Sequence, residues 1–147
     1  MTQTQGTEDL TFTNEEWVDK TIPEDTLVRA RLESISLHKF MYQGEEKQTL
    51  EWWWEVLGPD PYTGRKLKGK CKPEMNESPR NRLRKWAEAL LQREIPVGGK
   101  MSIQDLVGLQ AQVSVVHKPD KNDPTMKWEE IDEVIPVSQF NDDEPPF

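Results

Sequence analysis

The sequence has few of the residues that build metal centres and disulfides. Its 147 residues contain one cysteine and two histidines. The single Cys71 cannot form an internal disulfide, and with His38 and His117 as the other soft ligands there is no metal-binding spacing. We therefore expect no metal ion and interpret Cys71 as a small buried residue.

Long apolar runs are also missing. No segment approaches the roughly 20 apolar residues that a membrane helix needs. The first six residues, MTQTQG, lack the basic start and the apolar stretch of a secretory signal. These absences predict a cytoplasmic protein. The length predicts one domain, since single domains most often have roughly 100 to 150 residues.

The motifs of common enzyme classes do not occur. We find no nucleophile with a neighbouring base and no phosphate-binding loop, and the acidic residues that a nuclease needs are concentrated near the two ends of the chain. We therefore expect a protein that is not an enzyme and that uses no cofactor.

The net charge of -8 is unevenly distributed along the chain. Residues 1–26 hold seven acids and one lysine, residues 27–100 hold fifteen bases and ten acids, and residues 101–147 hold three bases and ten acids. The net charges of the three segments are -6, +5 and -7. A basic middle between acidic ends can attract a polyanion although the whole chain is acidic.

A lysine occupies every second position near the middle of the chain, in residues 65–72, RKLKGKCK. A period of two predicts a strand, and it sets neighbouring lysines about 7 Å apart on one face, comparable to the phosphate spacing of a single strand. The stripe indicates nucleic-acid contact, and the alternative is a solvated outer face. The candidate ligands are Lys66, Lys68, Lys70 and Lys72.

Residues 48–56, QTLEWWWEV, alternate in the same way. One face is apolar and predicted to be core, which leaves Trp53 on the polar face, where its ring could stack a base. The turn-forming residues 58–64 predict a hairpin that sets Trp53 and the lysines on a shared face, with the register left open. The predicted core residues are Leu50, Trp52, Trp54 and Val56.

A further strand is predicted over residues 27–35, with two arginines on its outer face. Residues 38–44 are predicted to form a loop whose two aromatic side chains have no obvious core role. These aromatics could stack bases, or they could fold back onto the body as a lid. The candidate ligands from this region are Arg29, Arg31, Phe40 and Tyr42.

The second half of the chain predicts one helix and two strands. Ser78 as N-cap and Pro79 in the first turn predict a helix that ends at Leu91, and we interpret its arginines as a solvated surface. Trp128, near the start of the last strand, could stack a base or cap the core. The other predicted elements are a short helix over 102–106 and strands over 109–117 and 127–135.

Three strands, a helix and two strands predict a mainly β protein. The expected architecture is a five-stranded OB-fold barrel with its helix between strands three and four and its binding face across strands two and three. An open α+β sheet is the alternative. The predicted organisation is an acidic N-terminal segment over 1–26, an OB-fold nucleic-acid-binding domain over 27–137 and a disordered acidic tail over 138–147.

The tail, whose last seven residues are NDDEPPF, has the composition of a ligand. It has too little apolar content to pack on its own domain, and its prolines favour an extended chain, so it could enter a basic pocket with an apolar floor. The alternative is a solvated, frayed terminus. The candidate partner-binding residues are Asp142, Asp143, Glu144, Pro145, Pro146 and Phe147.

Residues 142–147, DDEPPF, are similar to the acidic tip ending in Pro-Phe of the single-stranded DNA-binding proteins of bacteria and their phages. The chain differs from that tip by a glutamate as the third acid and by a proline where an aliphatic residue is usual. Other stretches look like a phage-encoded branch of the family, and the resemblance covers roughly residues 27–147. These stretches run from 63–67 through 83–90 and include 105–108 and 130–136.

The resemblance implies a barrel that coats single-stranded DNA with little sequence preference, and a tail that recruits replication, recombination or repair proteins. A phage-encoded member would act in the cytoplasm of the host cell, as a monomer, dimer or tetramer. The alternative function is a non-enzymatic adaptor or nucleic-acid mimic that binds a host protein. A pure mimic has no use for a continuous cationic face, and the lysine stripe therefore favours the first function.

Overall fold

The computed structural model describes residues 10–137, which form a mainly β structure with five strands and one α-helix. The predicted order of three strands, a helix and two strands is confirmed. The strands are β1 (Leu27–Tyr42), β2 (Glu45–Gly58), β3 (Lys66–Cys71), β4 (Gln110–Pro119) and β5 (Lys127–Pro136), and the helix is α1 (Arg82–Leu91).

The strands are hydrogen-bonded in the order β1-β2-β3-β5-β4, and β4 pairs back with β1, so the sheet is closed. Neighbouring strands are antiparallel except β3 and β5, which are parallel where Lys68 lies beside Glu130. The predicted hairpin of the tryptophan and lysine strands is present, and its register pairs Trp53 with Lys68.

The core fills the inside of the sheet with alternate residues of the strands. The predicted inner face of β2 is confirmed, because all four of its residues are buried. The rings of Trp52 and Trp54 stack with centroids 6.2 Å apart, and Trp86 of α1 meets Trp52 edge-on at 5.2 Å. Cys71 is also buried, as expected. Its Sγ accepts a hydrogen bond from Trp52 Nε1 at 3.2 Å, and burial raises the pKa of the thiol.

The helix α1 begins later than predicted. Its N-cap is Asn81, whose side-chain oxygen accepts a hydrogen bond from the backbone N–H of Arg84 at 2.8 Å. The prediction of Ser78 as N-cap is wrong, since its Oγ accepts from the N–H of Arg80 in the preceding turn. Serine and asparagine cap helices about equally well, so propensity alone does not choose between them.

No helix within residues 10–137 is long and apolar enough to cross a membrane.

Two further elements differ in detail from the predictions. The predicted short helix over 102–106 is a single 3-10 turn, Ile103–Asp105, with Ser102 as its N-cap. The last two strands each extend slightly beyond their predicted ends, to Pro119 and Pro136.

The prediction of a loop over residues 38–44 is wrong, because β1 and β2 continue through this region as a two-stranded ribbon. The strands stay paired from Leu37 and Leu50 out to Tyr42 and Glu45. The turn needs only two residues, Gln43 and Gly44, both with positive φ, as in the tight turns that suit the twist of a hairpin. Only β1 and β2 form this ribbon, residues 38–49, which we call the hairpin arm. Neither of its faces packs on the core, so its sequence carries no alternation of apolar and polar residues.

The segment before β1 contributes to the core through Ile22, which is completely buried. The backbone oxygen of Ile22 lies 2.7 Å from His117 Nε2, and its N–H donates to the carboxylate of Glu129. Glu24 accepts a hydrogen bond from the backbone N–H of His117 at 2.8 Å. The chain therefore crosses β4 and β5 before it enters the sheet as β1.

Gly69 of β3 is the position at which core packing can be tested most directly. A Cβ atom there would lie 2.8 Å from the Trp86 ring and 3.0 Å from Ile131 Cβ. We expect Gly69→Ala to lower the free energy of unfolding by about 1–3 kcal/mol, because the helix must move away from β3. Urea denaturation followed by circular dichroism measures this loss.

The matched control is Gly58→Ala, because an added Cβ would meet only Thr63 Oγ1, at 4.0 Å. We expect the control to change the free energy of unfolding by less than about 0.5 kcal/mol. Equal effects of the two substitutions would contradict the close contact between β3 and α1.

Candidate nucleic-acid interface

A concave groove of about 440 Å³ lies on the outer surface where β2, β3 and β5 adjoin. Four cations and one carboxylate line it, together with two tryptophans. We call this surface the groove. Its basic and aromatic residues are Trp53, Arg65, Lys66, Lys68, Lys127 and Trp128. The rest of its wall is formed by Thr21, His117 and Glu129.

Trp53 lies on the outer face of β2 because its neighbours Trp52 and Trp54 point inward. Its side chain is 37% exposed, whereas those two neighbours are fully buried. On β3 the directly opposed residue is Lys68, whose Nζ lies 5.7 Å from the centre of the Trp53 ring. An ammonium group at this distance is attracted by the ring and leaves part of the aromatic surface open to solvent.

Trp128, near the start of β5, also lines the groove. It is 42% exposed, and its indole Nε1 donates a hydrogen bond to Glu130 Oε2 at 2.9 Å. This bond orients the ring without burying it. Trp53 and Trp128 therefore offer two aromatic surfaces to one groove, with the side chain of Lys68 also lining it.

Acidic neighbours compensate some of the predicted cations. Lys66 Nζ lies 2.7 Å and 2.8 Å from the two carboxylate oxygens of Glu33, and 3.9 Å from Glu55. Arg31 forms an ion pair with Glu55 at 2.7 Å. The residue opposite Lys70 is Glu51. The sequence contains no acid between the lysines, but the adjacent strands place acids beside them, and the expectation of a continuous cationic face is therefore wrong.

A buried carboxylate joins the groove to the segment before β1. The side chain of Glu129 is only 5% exposed, and it accepts hydrogen bonds from Arg65 and from the backbone N–H of Ile22. A hydrogen bond from Thr21 lowers the pKa of Asp19, and the charge of Arg65 contributes to this shift. These contacts hold the segment at the rim of the groove, where Thr21 forms part of the wall.

The other predicted ligands lie outside the groove. Lys70 follows Lys68 on the outer face of β3, and Lys72 comes directly after the strand, in a separate recess beside α1. Arg29 lines a depression of about 530 Å³ at the other end of β2, together with Leu27 and Leu57.

Phe40 and Tyr42 lie on the hairpin arm, and neither lines the groove. They are 40% and 56% exposed, and the Phe40 ring stacks on His38 with centroids 6.1 Å apart. The alternative in which these aromatics fold back as a lid is not observed. The arm presents them to solvent, beyond the part of β2 that pairs with β3.

Sequence reasoning missed several residues of the groove. Arg65 begins the lysine-rich stretch and Lys127 precedes Trp128. Both could have been predicted, because each is adjacent in sequence to a predicted ligand. His117 and Thr21 carry no such signal, because only the closed sheet brings them to this surface. The predicted partner-binding residues, 142–147, lie outside the described residues.

Comparison with known proteins found no family model and no curated protein that matches this chain. Within residues 10–137 there is no group of three or more His, Cys, Asp or Glu side chains that could hold a metal ion.

The contacts of Glu129 predict that its charge supports the wall of the groove. We expect Glu129→Gln to lower the free energy of unfolding by about 1–3 kcal/mol, since two hydrogen bonds to a buried carboxylate are weakened. Glu133→Gln, at an exposed position of the same strand, is the control with the same change of charge. Thermal or urea denaturation compares the two variants, and equal stabilities would contradict a structural role of Glu129.

Proposed function

We propose that this protein binds single-stranded DNA with little sequence preference during replication, recombination or repair, and that it is not an enzyme. The observation that carries the proposal is the groove, in which Trp53 and Trp128 are both exposed beside Lys68 and further cations. Proteins that bind single strands without sequence preference combine aromatic platforms with a basic surface that follows the backbone.

The architecture supports an OB-fold assignment within this proposal. An OB-fold is a small five-stranded barrel whose ligands lie across strands two and three, between the loops that join strands one to two and four to five. The groove includes residues of β2 and β3 and is bounded by β5. The hairpin arm corresponds to the connection of strands one and two, and it offers Phe40 and Tyr42 as further contacts.

The free energy of binding in the groove would have two contributions, one from base stacking and one from contacts of cations with phosphates. Stacking of a base on Trp53 or Trp128 contributes about 1–3 kcal/mol for each base and tolerates any sequence, because every base has an aromatic face. Lys68 and Lys127 make no ion pair within residues 10–137 and supply a term that weakens as salt rises. Lys66 and Arg65 can contribute only in competition with Glu33 and Glu129.

The tail extends the proposal to partner proteins. Its acidic residues, prolines and terminal Phe147 suit a basic pocket with an apolar floor on a replication, recombination or repair enzyme. This part rests on sequence alone and on the resemblance of residues 142–147 to the acidic tip of single-stranded DNA-binding proteins.

A second function is favoured by the acids around the lysines. Glu33, Glu51 and Glu55 share the outer surface with the lysine stripe, and the net charge of the chain is -8. A mixed surface of this kind suits a non-enzymatic adaptor or nucleic-acid mimic that docks on a host protein. The two functions differ in whether the groove itself binds a single strand.

The proposed stacking predicts the effect of removing one aromatic side chain. We expect Trp53→Ala to weaken binding of fluorescein-labelled oligo-dT by about fivefold to 150-fold, since about 1–3 kcal/mol of stacking is lost. Fluorescence anisotropy at low and at moderate salt measures the affinity. Trp17→Ala is the control, because Trp17 is 81% exposed and does not line the groove.

Unaltered affinity in Trp53→Ala would exclude stacking on this ring. Failure of the unsubstituted protein to bind oligo-dT at low salt would reject the single-strand function and leave the adaptor as the better proposal.

Removing the ion pair between Glu33 and Lys66 should increase the affinity of the groove for single-stranded DNA. We expect Glu33→Gln to tighten binding of oligo-dT by about twofold to fivefold at low salt, because a surface ion pair of up to about 1 kcal/mol no longer competes with phosphate. Glu94→Gln makes the same change of net charge at an exposed position after α1 and should have a smaller effect. An equal gain in both variants would show that only net charge matters.

A further inference from the structure

A second concave surface lies between the end of β3 and the start of α1. This recess has a volume of about 380 Å³, and residues of both elements and of the turn between them line it. Three of its side chains are cationic and one is acidic. These four are Lys72, Glu74, Arg80 and Arg82.

Two of the three cations are available for a ligand. Lys72 and Arg80 are exposed and form no ion pair within residues 10–137. Arg82 is held by other contacts: its guanidinium lies 5.3 Å from the centre of the Trp86 ring, and Nη1 donates to the backbone oxygen of Lys70 at 3.3 Å. Its Nη2 also lies 3.9 Å from Asp132.

The strand β3 connects this recess to the groove. Lys68 lines the groove, Lys70 follows on the same face, and Lys72 lines the recess. Four residues of extended strand span about 13 Å, with lysines about 7 Å apart. This spacing matches about two nucleotides of a stretched single strand.

We propose that a single strand bound in the groove continues along β3 and that its phosphates reach Lys72 and Arg80 in the recess. The inference rests on the proposed function and adds the direction in which the strand leaves the groove. No exposed aromatic side chain lines the recess. It therefore holds the backbone of the strand, whereas Trp53 and Trp128 hold bases in the groove. Three acids oppose this path: Glu74 lines the recess, Asp132 lies 3.9 Å from Arg82, and Glu51 lies opposite Lys70.

The length of the oligonucleotide distinguishes binding in the groove alone from binding in both the groove and the recess. We expect dT4, which is long enough for the groove alone, to bind equally to the unsubstituted protein and to the double variant Lys72→Gln/Arg80→Gln. We expect dT12 to bind severalfold more weakly to the variant. Two lost phosphate contacts should also make the slope of log affinity against log salt shallower by about 1.4. Over a fourfold rise in salt, the affinity of the variant for dT12 should therefore fall about sevenfold less than the affinity of the unsubstituted protein.

The control is Lys85→Gln/Arg93→Gln, which removes the same two kinds of charge from exposed positions near the same helix but outside the recess. Fluorescence titration with dT4 and dT12 at four salt concentrations measures both quantities. Thermal melting first verifies that both variants are folded.

The results distinguish the inference from the function on which it rests. A loss for dT12 alone, restricted to the recess variant, supports a strand that follows β3. Equal losses in both variants, equal losses for both lengths, or no loss at all would overturn it while single-strand binding stands. If the unsubstituted protein binds neither oligonucleotide at low salt, the proposed function fails and this inference fails with it.

Discussion

The burial of Trp52 and Trp54 inside the closed sheet is the constraint on which the candidate site depends. Because side chains alternate along a strand, burying these two rings forces the tryptophan between them onto the outer surface. The pairing of β2 with β3 then sets Lys68 opposite Trp53, with the ammonium 5.7 Å from the ring centre. The exposed ring of Trp53 is therefore positioned by the two buried tryptophans beside it on the same strand.

On this surface some cations lie beside an acid and others do not, even along the same strand. Glu33 and Glu55 lie beside Lys66, and Glu129 accepts from Arg65, whereas Lys68 faces an aromatic ring. Charges farther apart than roughly 10 Å are largely screened at moderate salt. A protein with a net charge of -8 can therefore still present a small region that attracts phosphate. Lys68 and Lys127 in the groove, and Lys72 and Arg80 in the recess, form no ion pair within residues 10–137.

Much of the sheet could be predicted because its strands have one buried and one exposed face. The inward set of β2 followed from a period of two. The hairpin with the lysine strand followed from the turn-forming residues 58–64, and its register was left open. The hairpin arm could not be predicted, since a ribbon with two solvated faces has no such period. Asn81 as N-cap was missed because Ser78 has a similar propensity. Ile22 was missed because a single buried position in an acidic segment gives no periodic pattern.

The sequence by itself determined which residues face inward on β2 and β3, because alternation is a property of each strand and needs no partner. It also determined the uneven distribution of charge and the composition of the tail. Only the tertiary structure decided which side chains share a surface. The pairing of β3 with β5 brought Trp128 into the same groove as Trp53, and the pairing of β1, β2 and β3 brought Glu33 to Lys66 past an intervening strand. The segment before β1 brought the backbone of Ile22 to Glu129. These contacts join residues far apart in the chain, and strand order and register, not local pattern, produce them.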